Sequence, residues 1–600
     1  MNKRSAGFGL VETVIGVALF SVLALVMYQV YIKAFQVSER ARARTAMTTV
    51  ASQEIEKIRN LPYAQIGVQL GIPAGNLLPT RTITRGTYQF EIRTTVRNID
   101  DPFDGELGST TNNDLSPADS KLVEISVGCL NCKYTIAPVV VTTRIGPKNL
   151  ESASTNGALF IEVLNASGLP VEGAQVHIVN ASSSIVIDDV TNASGRLQII
   201  DAPPGTQAYQ VTATKPGYTT ERTYATGSST APNPLKVNPT VLVQEVTELT
   251  LTIDQASTIN MNSVLSNCTP VPSVDFTLTG TRLLSSLPDV LKYDQNHTTG
   301  SDGQLSLTGL EWDVYSLTMT NPSYDLAGTL PLAPFNLLPG SNQNFYLVLS
   351  PKDPNSVVVS VKDGGSSLPL ADARVDLTRT ATGITTTLYT GRGSLRQTDW
   401  SGLGNVATTT NNGTTYWYDD GSIDPTTIPG TVTLLNEFGS YRSSGWFESS
   451  TFDTGSASNF YELTMLPLTQ SAEVGIPSIR LQFATGNSGT ATSGWSYLGP
   501  DGTNASYYTA TNTVISSVHN GDRYFRYRAY FDTASTSYTP ALEEVAVTYT
   551  SNCMPSGQAF FDDLTAGLYD VVVTKSGYTV ATDTVNISSG WQQKQILMYP

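Results

Sequence analysis

Histidine is scarce in this chain: three in 600 residues, at positions 177, 297 and 519. None is followed by Glu, so the paired-histidine zinc motif H-E-x-x-H is absent. The four cysteines, Cys129, Cys132, Cys268 and Cys553, include a single C-x-x-C, and no second one exists to complete a four-thiolate metal site. Charge is also thin, at 14% of residues, and acidic: 51 Asp and Glu against 35 Lys and Arg, for a net −16. That balance excludes a nucleic-acid partner, because phosphate binding needs clustered Lys and Arg. There is no G-x-S-x-G nucleophile turn and no Gly-Lys phosphate loop. Gly402-Leu-Gly-Asn-Val-Ala407 matches the loose dinucleotide fingerprint, but no βαβ unit surrounds it, so it reads as a loop. Carboxylates are scattered, and no pair stands out for acid–base work. The chain reads as a non-enzyme with no cofactor.

What is present begins at the N-terminus. From Phe8 to Ile32 the sequence is apolar, with one charge, Glu12. At ~1.5 Å per residue a helix of this run crosses a bilayer. A carboxylate in such a helix costs roughly 2.5–3.5 kcal/mol near the bilayer centre, so Glu12 needs a partner. A secretory signal has an apolar core of roughly 7–15 residues, shorter than this run. A plain membrane anchor stays open. Lys3 and Arg4 precede the run, while Lys33, Arg40, Arg42 and Arg44 follow it, so flanking charge leaves the orientation undecided.

Lys3, Arg4, Gly7, Phe8 and Glu12 together resemble the N-terminus of type IV prepilins and pseudopilins. The resemblance implies cleavage between Gly7 and Phe8 by a prepilin peptidase and methylation of the new Phe8 amine. It implies that Glu12 meets the Phe8 amine of a neighbouring subunit during assembly. It also places residues 1–7 as a cytoplasmic leader and 8–33 as the membrane or filament-core helix. The implied partners are other pilin or pseudopilin subunits, the peptidase and an inner-membrane assembly platform. The protein would sit in the inner membrane before assembly and in a surface or periplasmic filament after it.

Length alone suggests roughly four domains, and the abundance of Gly, Ser, Thr and Asn suits many short strands and turns. Residues 34–60 continue helically, with Met47, Ala51, Ile55 and Ile58 at helical intervals and Leu61-Pro62-Tyr63 as the stop. Strand-like runs follow at 82–96, 122–127 and 134–145, giving a pilin-like α+β domain over 34–147. Within it Asp100, Asp101, Asp104 and Glu106 crowd one loop and form a calcium candidate, weighed against a plain solvated acidic loop. Cys129-Leu-Asn-Cys132 lies between two strands. A disulfide clamping that hairpin is the first reading, with half a metal site and a redox pair as alternatives. Cys268 and Cys553 each sit in a Ser-Asn-Cys-x-Pro segment, and whether they pair is open.

Beyond Gly146-Pro147 the pattern is all-β and repetitive. Leu169-Pro-Val-Glu-Gly-Ala-Gln-Val176 and Leu368-Pro-Leu-Ala-Asp-Ala-Arg-Val375 open two units. Lys215-Pro-Gly-Tyr218 and Lys575-Ser-Gly-Tyr578 close them. These motifs resemble the carboxypeptidase-regulatory-like, or transthyretin-like, β-sandwich. The resemblance implies sandwiches at 157–243 and, as a weaker copy, at 244–352. A third, 353–390 plus 555–600, would be split by an inserted sandwich at 391–554. In the insert, Gly445-Trp-Phe-Glu to Phe452-Asp-Thr-Gly455 resembles the entry of galactose-binding-like jelly rolls. The expected fold class is therefore multidomain: an N-terminal transmembrane helix, a pilin-like α+β domain, then all-β sandwiches.

Aromatics concentrate in the insert. Tyr416-Trp417-Tyr418 cannot all point inward on a strand, which makes them the candidate ligand-binding residues, with a surface carbohydrate as partner. The expected function is a structural and adhesive minor pilin or pseudopilin. The alternative is a membrane-tethered carbohydrate-binding module that never enters a filament.

Overall fold

The computed structural model describes residues 9–148, 153–402, 404–408, 413–467, 469–490, 493–511 and 513–600, with Glu12 described by its backbone alone. The chain divides into two units, 1–255 with 283–290, and 256–282 with 291–600.

The first unit starts with one helix, Leu10–Arg59, which contains no proline. It ends ahead of Pro62, whose ring disfavours helical backbone in the residue before it. The outer half is exposed and apolar: Leu10 is 82% and Phe20 70% accessible. In the inner half Met47, Val50, Ala51, Ile55 and Ile58 fall on one stripe and are buried against a four-stranded antiparallel sheet. Its strands are Thr80–Arg85, Tyr88–Ile99, Ser120–Cys129 and Val139–Ile145, in that order. Phe90, Ile92, Val123, Ile125 and Val127 supply the facing side chains. The turn leaving the helix is tied to the sheet by Lys121, whose buried Nζ donates to the Tyr63 and Ile66 carbonyls at 3.0 and 2.6 Å. Burial lowers the Lys121 pKa.

A sandwich completes this unit. One sheet runs Glu221–Arg222, Gln210–Thr214, Gln175–Asn180, Ile185–Val190, and the other Val246–Thr252, Gly157–Leu164, Arg196–Ala202. Val246–Thr252 pairs parallel to Gly157–Leu164. The first sandwich therefore extends past the expected boundary at 243, because its closing strand joins a partner nearly ninety residues earlier.

The second unit holds the remaining β structure. Its first sandwich stacks Gln304–Leu310, Ser257–Leu265, Asn342–Pro351, Tyr324–Leu330 on Asp294–Thr298, Asp275–Gly280, Asp313–Met319, Phe335–Leu337 around Phe276, Leu278, Phe345 and Leu347. The next places Gln558–Phe561, Asn355–Asp363, Gly590–Met598 against Thr385–Tyr389, Arg374–Arg379, Gly567–Thr574, Ala581–Ile587. Between Tyr389 and Gln558 the chain builds a separate domain with its own core, which includes Trp400, Phe447, Phe452 and Tyr527. Its eight-stranded sheet is bent by Phe452–Leu466, whose pairing with Asp522–Asp532 breaks register between Asp453 and Ser458.

Two internal devices recur in all three repeat sandwiches. Thr191, Thr299 and Thr390 each accept at Oγ1 from a buried backbone N–H, those of Ala174, Val274 and Ala373, at 2.9, 3.0 and 3.0 Å. Tyr209, Tyr315 and Tyr569 are buried, and each donates its hydroxyl to a carbonyl just upstream, that of Pro203, Glu311 or Thr565. The middle sandwich, which lacks the closing Lys-x-Gly-Tyr, keeps both devices.

Candidate functional site

Gly7 and Phe8 lie outside the described residues, as does the Glu12 side chain; the Glu12 backbone is helical. The helix around it is the only described one long and apolar enough to cross a membrane. Of its hydroxyls in the apolar half, two are turned back onto the helix: Thr13 Oγ1 donates to Gly9 O at 3.2 Å and Ser21 Oγ to Val17 O at 2.8 Å, while Tyr28 and Tyr31 stand exposed near its inner end. Apart from Tyr28, Gln29 and Tyr31 near its inner end, the described surface from Thr13 to Ile32 is apolar, suited to lipid or to like helices.

Acidic side chains beside the four-stranded sheet assemble differently from their order in sequence. Asp101 accepts from Arg144 at 2.8 Å, while Asp104 and Glu106 are exposed. Asp100 instead meets Asp114 and Asp119, with one carboxylate oxygen from each within 4.8 Å of the others. The loop doubles back before Ser120–Cys129, with Glu106 bridged to Asn113, so neighbours in space replace neighbours in sequence. Burial, with added repulsion from Asp119 and Asp114, raises the Asp100 pKa to about 6. Among the described residues this is the group whose chemistry suits a hard cation.

Cys129 and Cys132 form a disulfide, as do Cys268 and Cys553. Asn131, inside the short loop, accepts from Gln89 N at 2.7 Å and donates to Thr87 O at 2.9 Å, which pins the loop to the adjacent strand turn.

The aromatic trio does not form one surface. A register shift separates Tyr416 from Tyr418 in their pairing with Ser444–Ser449. Tyr416 packs against the core of the inserted domain. Trp417 lies 5.4 Å from the guanidinium of Arg526, which is also 5.0 Å from Trp495. Tyr418 remains outward, 50% exposed, with its ring 5.6 Å from Trp446.

Around the trio is a network that sequence reasoning missed. Arg528 stacks between Trp446 and Tyr497, at 4.6 and 4.1 Å. Buried Glu448 accepts from Arg528 at 3.1 Å and from the Tyr497 hydroxyl, and it faces Arg526 at 3.6 Å. Burial pulls the Arg526 pKa down while Tyr497 and Glu448 oppose it, and burial followed by Glu448 raises the Tyr497 pKa. Two guanidiniums share one carboxylate and stack on the interleaved rings, so the arrangement clamps the segment bearing Trp495 and Tyr497 onto the sheet. Its sequence signal was the alternation Arg526-x-Arg528 on a strand rich in aromatics.

Residues 2–28 match the prokaryotic N-terminal methylation motif, and residues 159–263 match the carboxypeptidase regulatory-like domain. The chain thus carries a prepilin-type N-terminus ahead of carboxypeptidase-regulatory-like and other β-sandwich structure. No curated protein matches it. Among solved structures, the Bacillus anthracis TIE protein shares 12% identity over 52% of this chain and 66% of its own length, with a TM-score of 0.15. The minor pilin GBS52 of Streptococcus agalactiae shares 14% over 33% of this chain and 99% of its own, with a TM-score of 0.15. A streptococcal ancillary pilin shares 13% over 39% and 84%, with a TM-score of 0.14. Overlaps of that size assign no role here.

Proposed function

We propose that this chain is a large minor-pilin-like subunit that displays β-sandwich modules from a type IV pilus-like or type II secretion-like filament. The observation that carries the reading is the methylation-motif match on a helix whose outer half is apolar and wholly exposed. Such a surface is stable only in lipid or against other helices, and a filament core supplies the second environment after the membrane has supplied the first. The leader faces the cytoplasm, the peptidase cuts after Gly7, and Glu12 pairs with the methylated Phe8 amine of a neighbour. A projecting load of sandwiches suits a tip or rare position. Its role there is adhesive, toward surface carbohydrate.

Mass spectrometry of filaments sheared from native cells tests this. An N-terminal peptide starting at N-methylated Phe8 is the expected result. An intact Met1 start, confined to membranes, overturns the filament reading and leaves a tethered surface module.

A further inference from the structure

The first sandwich of the second unit carries an outward face that none of the motifs above explains. Inward positions of Ser257–Leu265 and Asn342–Pro351 fill the core with Ile259, Met261, Phe345 and Leu347. The alternate positions face out, and register aligns them into rows across three strands. Ser306, Asn260 and Asn344 make one row; Gln304, Asn262 and Tyr346 make the next. Thr308, Thr258 and Asn342 extend the field on the other side. No position in it is charged. At the strand spacing and rise of a β-sheet it measures roughly 10 Å by roughly 14 Å. A shallow depression of about 410 Å³ opens over its centre.

Stability does not account for these residues. Asn is among the poorer strand formers, yet it takes four outward positions on the two central strands, where Thr or Val would be preferred. Residues that violate local preference on a rigid sheet mark sites kept for another purpose. The amides are also organised. Asn260 Nδ2 donates to Asn342 Oδ1 at 2.8 Å and Asn344 Oδ1 at 3.3 Å, and Asn260 Oδ1 accepts from Ser306 at 3.1 Å. Asn262 Nδ2 is turned back to Asn260 O at 3.0 Å. Each asparagine amide is thereby oriented, and among the described residues the Nδ2 groups of Asn342 and Asn344 and the Oδ1 of Asn262 keep their remaining valences for a ligand.

We infer that this face binds a neutral glycan. Fixed amide donors and acceptors match hydroxyl groups, which both give and take hydrogen bonds. The half-exposed ring of Tyr346 offers an apolar face beside them. The lack of charge removes any basis for selecting a phosphate, sulfate or carboxylate. The inference deepens the adhesive part of the proposed function and moves its ligand from the inserted domain to this sheet.

The test uses the purified full chain in detergent on an array of neutral oligosaccharides, with sialylated and sulfated ones alongside. The variants are Asn342→Ala/Asn344→Ala, Ser306→Lys, and Tyr418→Ala/Trp446→Ala, each checked for an unchanged thermal midpoint. Expected is binding to neutral glycans, weakened about tenfold or more by either of the first two variants, as loss of a few oriented hydrogen bonds requires, and untouched by the third. Absence of neutral-glycan binding, preference for charged glycans, or loss only in the third variant overturns it. Should the asparagine pair fail to fold, Ser306→Lys on the flanking strand still decides. Incorporation of the same variants into sheared filaments is scored separately, so failure of the glycan site and failure of the filament reading are distinguishable.

Discussion

Arg97 grips Asp189 with two guanidinium arms, Nε to Oδ2 at 2.6 Å and the second arm to Oδ1. The Asp189 side chain is 3% exposed, and the pair links the sheet packed on the N-terminal helix to the sandwich that follows it. Around it Asn98 Nδ2 donates to Ile200 O, and Leu107 packs with Ala158 and Ile200. Within the first unit these two domains are therefore joined by a packed junction.

Removing Arg97 leaves a buried carboxylate without its cation. Arg97→Ala is expected to cost about 3–5 kcal/mol, seen as an earlier denaturant transition. Arg97→Ala/Asp189→Ala should cost clearly less than the sum of the two single changes, because the second change removes the stranded charge. Additive losses would mean the pair is uncoupled.

His519 gives the inserted domain an acid limit. It is 2% exposed and edge-on to Phe483 at 5.1 Å, and among the described residues its Nε2 has no hydrogen-bond partner. Burial holds its pKa at about 4, below the ordinary 6.5. The folded state thus binds fewer protons than the unfolded one between those values. Stability is full above about pH 6.5 and is lost as pH falls toward 4, on the order of 3 kcal/mol in all. Thermal midpoints at pH 4.5, 5.5 and 7 should show this slope in the wild type and a flatter one in His519→Gln.

Cys268 and Cys553 are joined across a separation of 285 residues. Replacing both by Ser should lower unfolding free energy by about 2–4 kcal/mol, largely through a freer unfolded chain. Limited proteolysis with and without reductant reads the effect, and peptide mapping under non-reducing conditions checks the pairing itself.

Glu12→Ala addresses assembly. Replacing a costly intramembrane carboxylate should leave membrane insertion intact or improved while removing the partner of the Phe8 amine. The variant is expected in the membrane fraction and missing from sheared filaments; undiminished incorporation would rule out the pairing role.

Local pattern carried much of the fold. The apolar run and the spacing of Met47, Ala51, Ile55 and Ile58 set one continuous helix, since both halves use the same backbone with different neighbours. Alternation in Val176 and Ile178 or Val375 and Leu377 is enough to name a half-buried strand. What escaped was decided by long-range pairing. Val246–Thr252 belongs to the first sandwich through a parallel partner that no local signal marks. Asp100 finds Asp114 and Asp119 through a loop path, and Asn260 finds Asn344 through a register set by the whole sheet. Trp417 looked like a free ring until Arg526 on another strand came under it.

The bond between Cys268 and Cys553 has one more consequence, for tension. Once the last strand, Gly590–Met598, is stripped from Asn355–Asp363, a pull between it and the N-terminal helix passes through the sulfur bridge and bypasses the chain it encloses. Fully drawn out, those residues would release on the order of 1000 Å of slack. With the bridge closed none of it is available, so a cell hauling on this protein would feel a short tether, and in a reducing medium a long one.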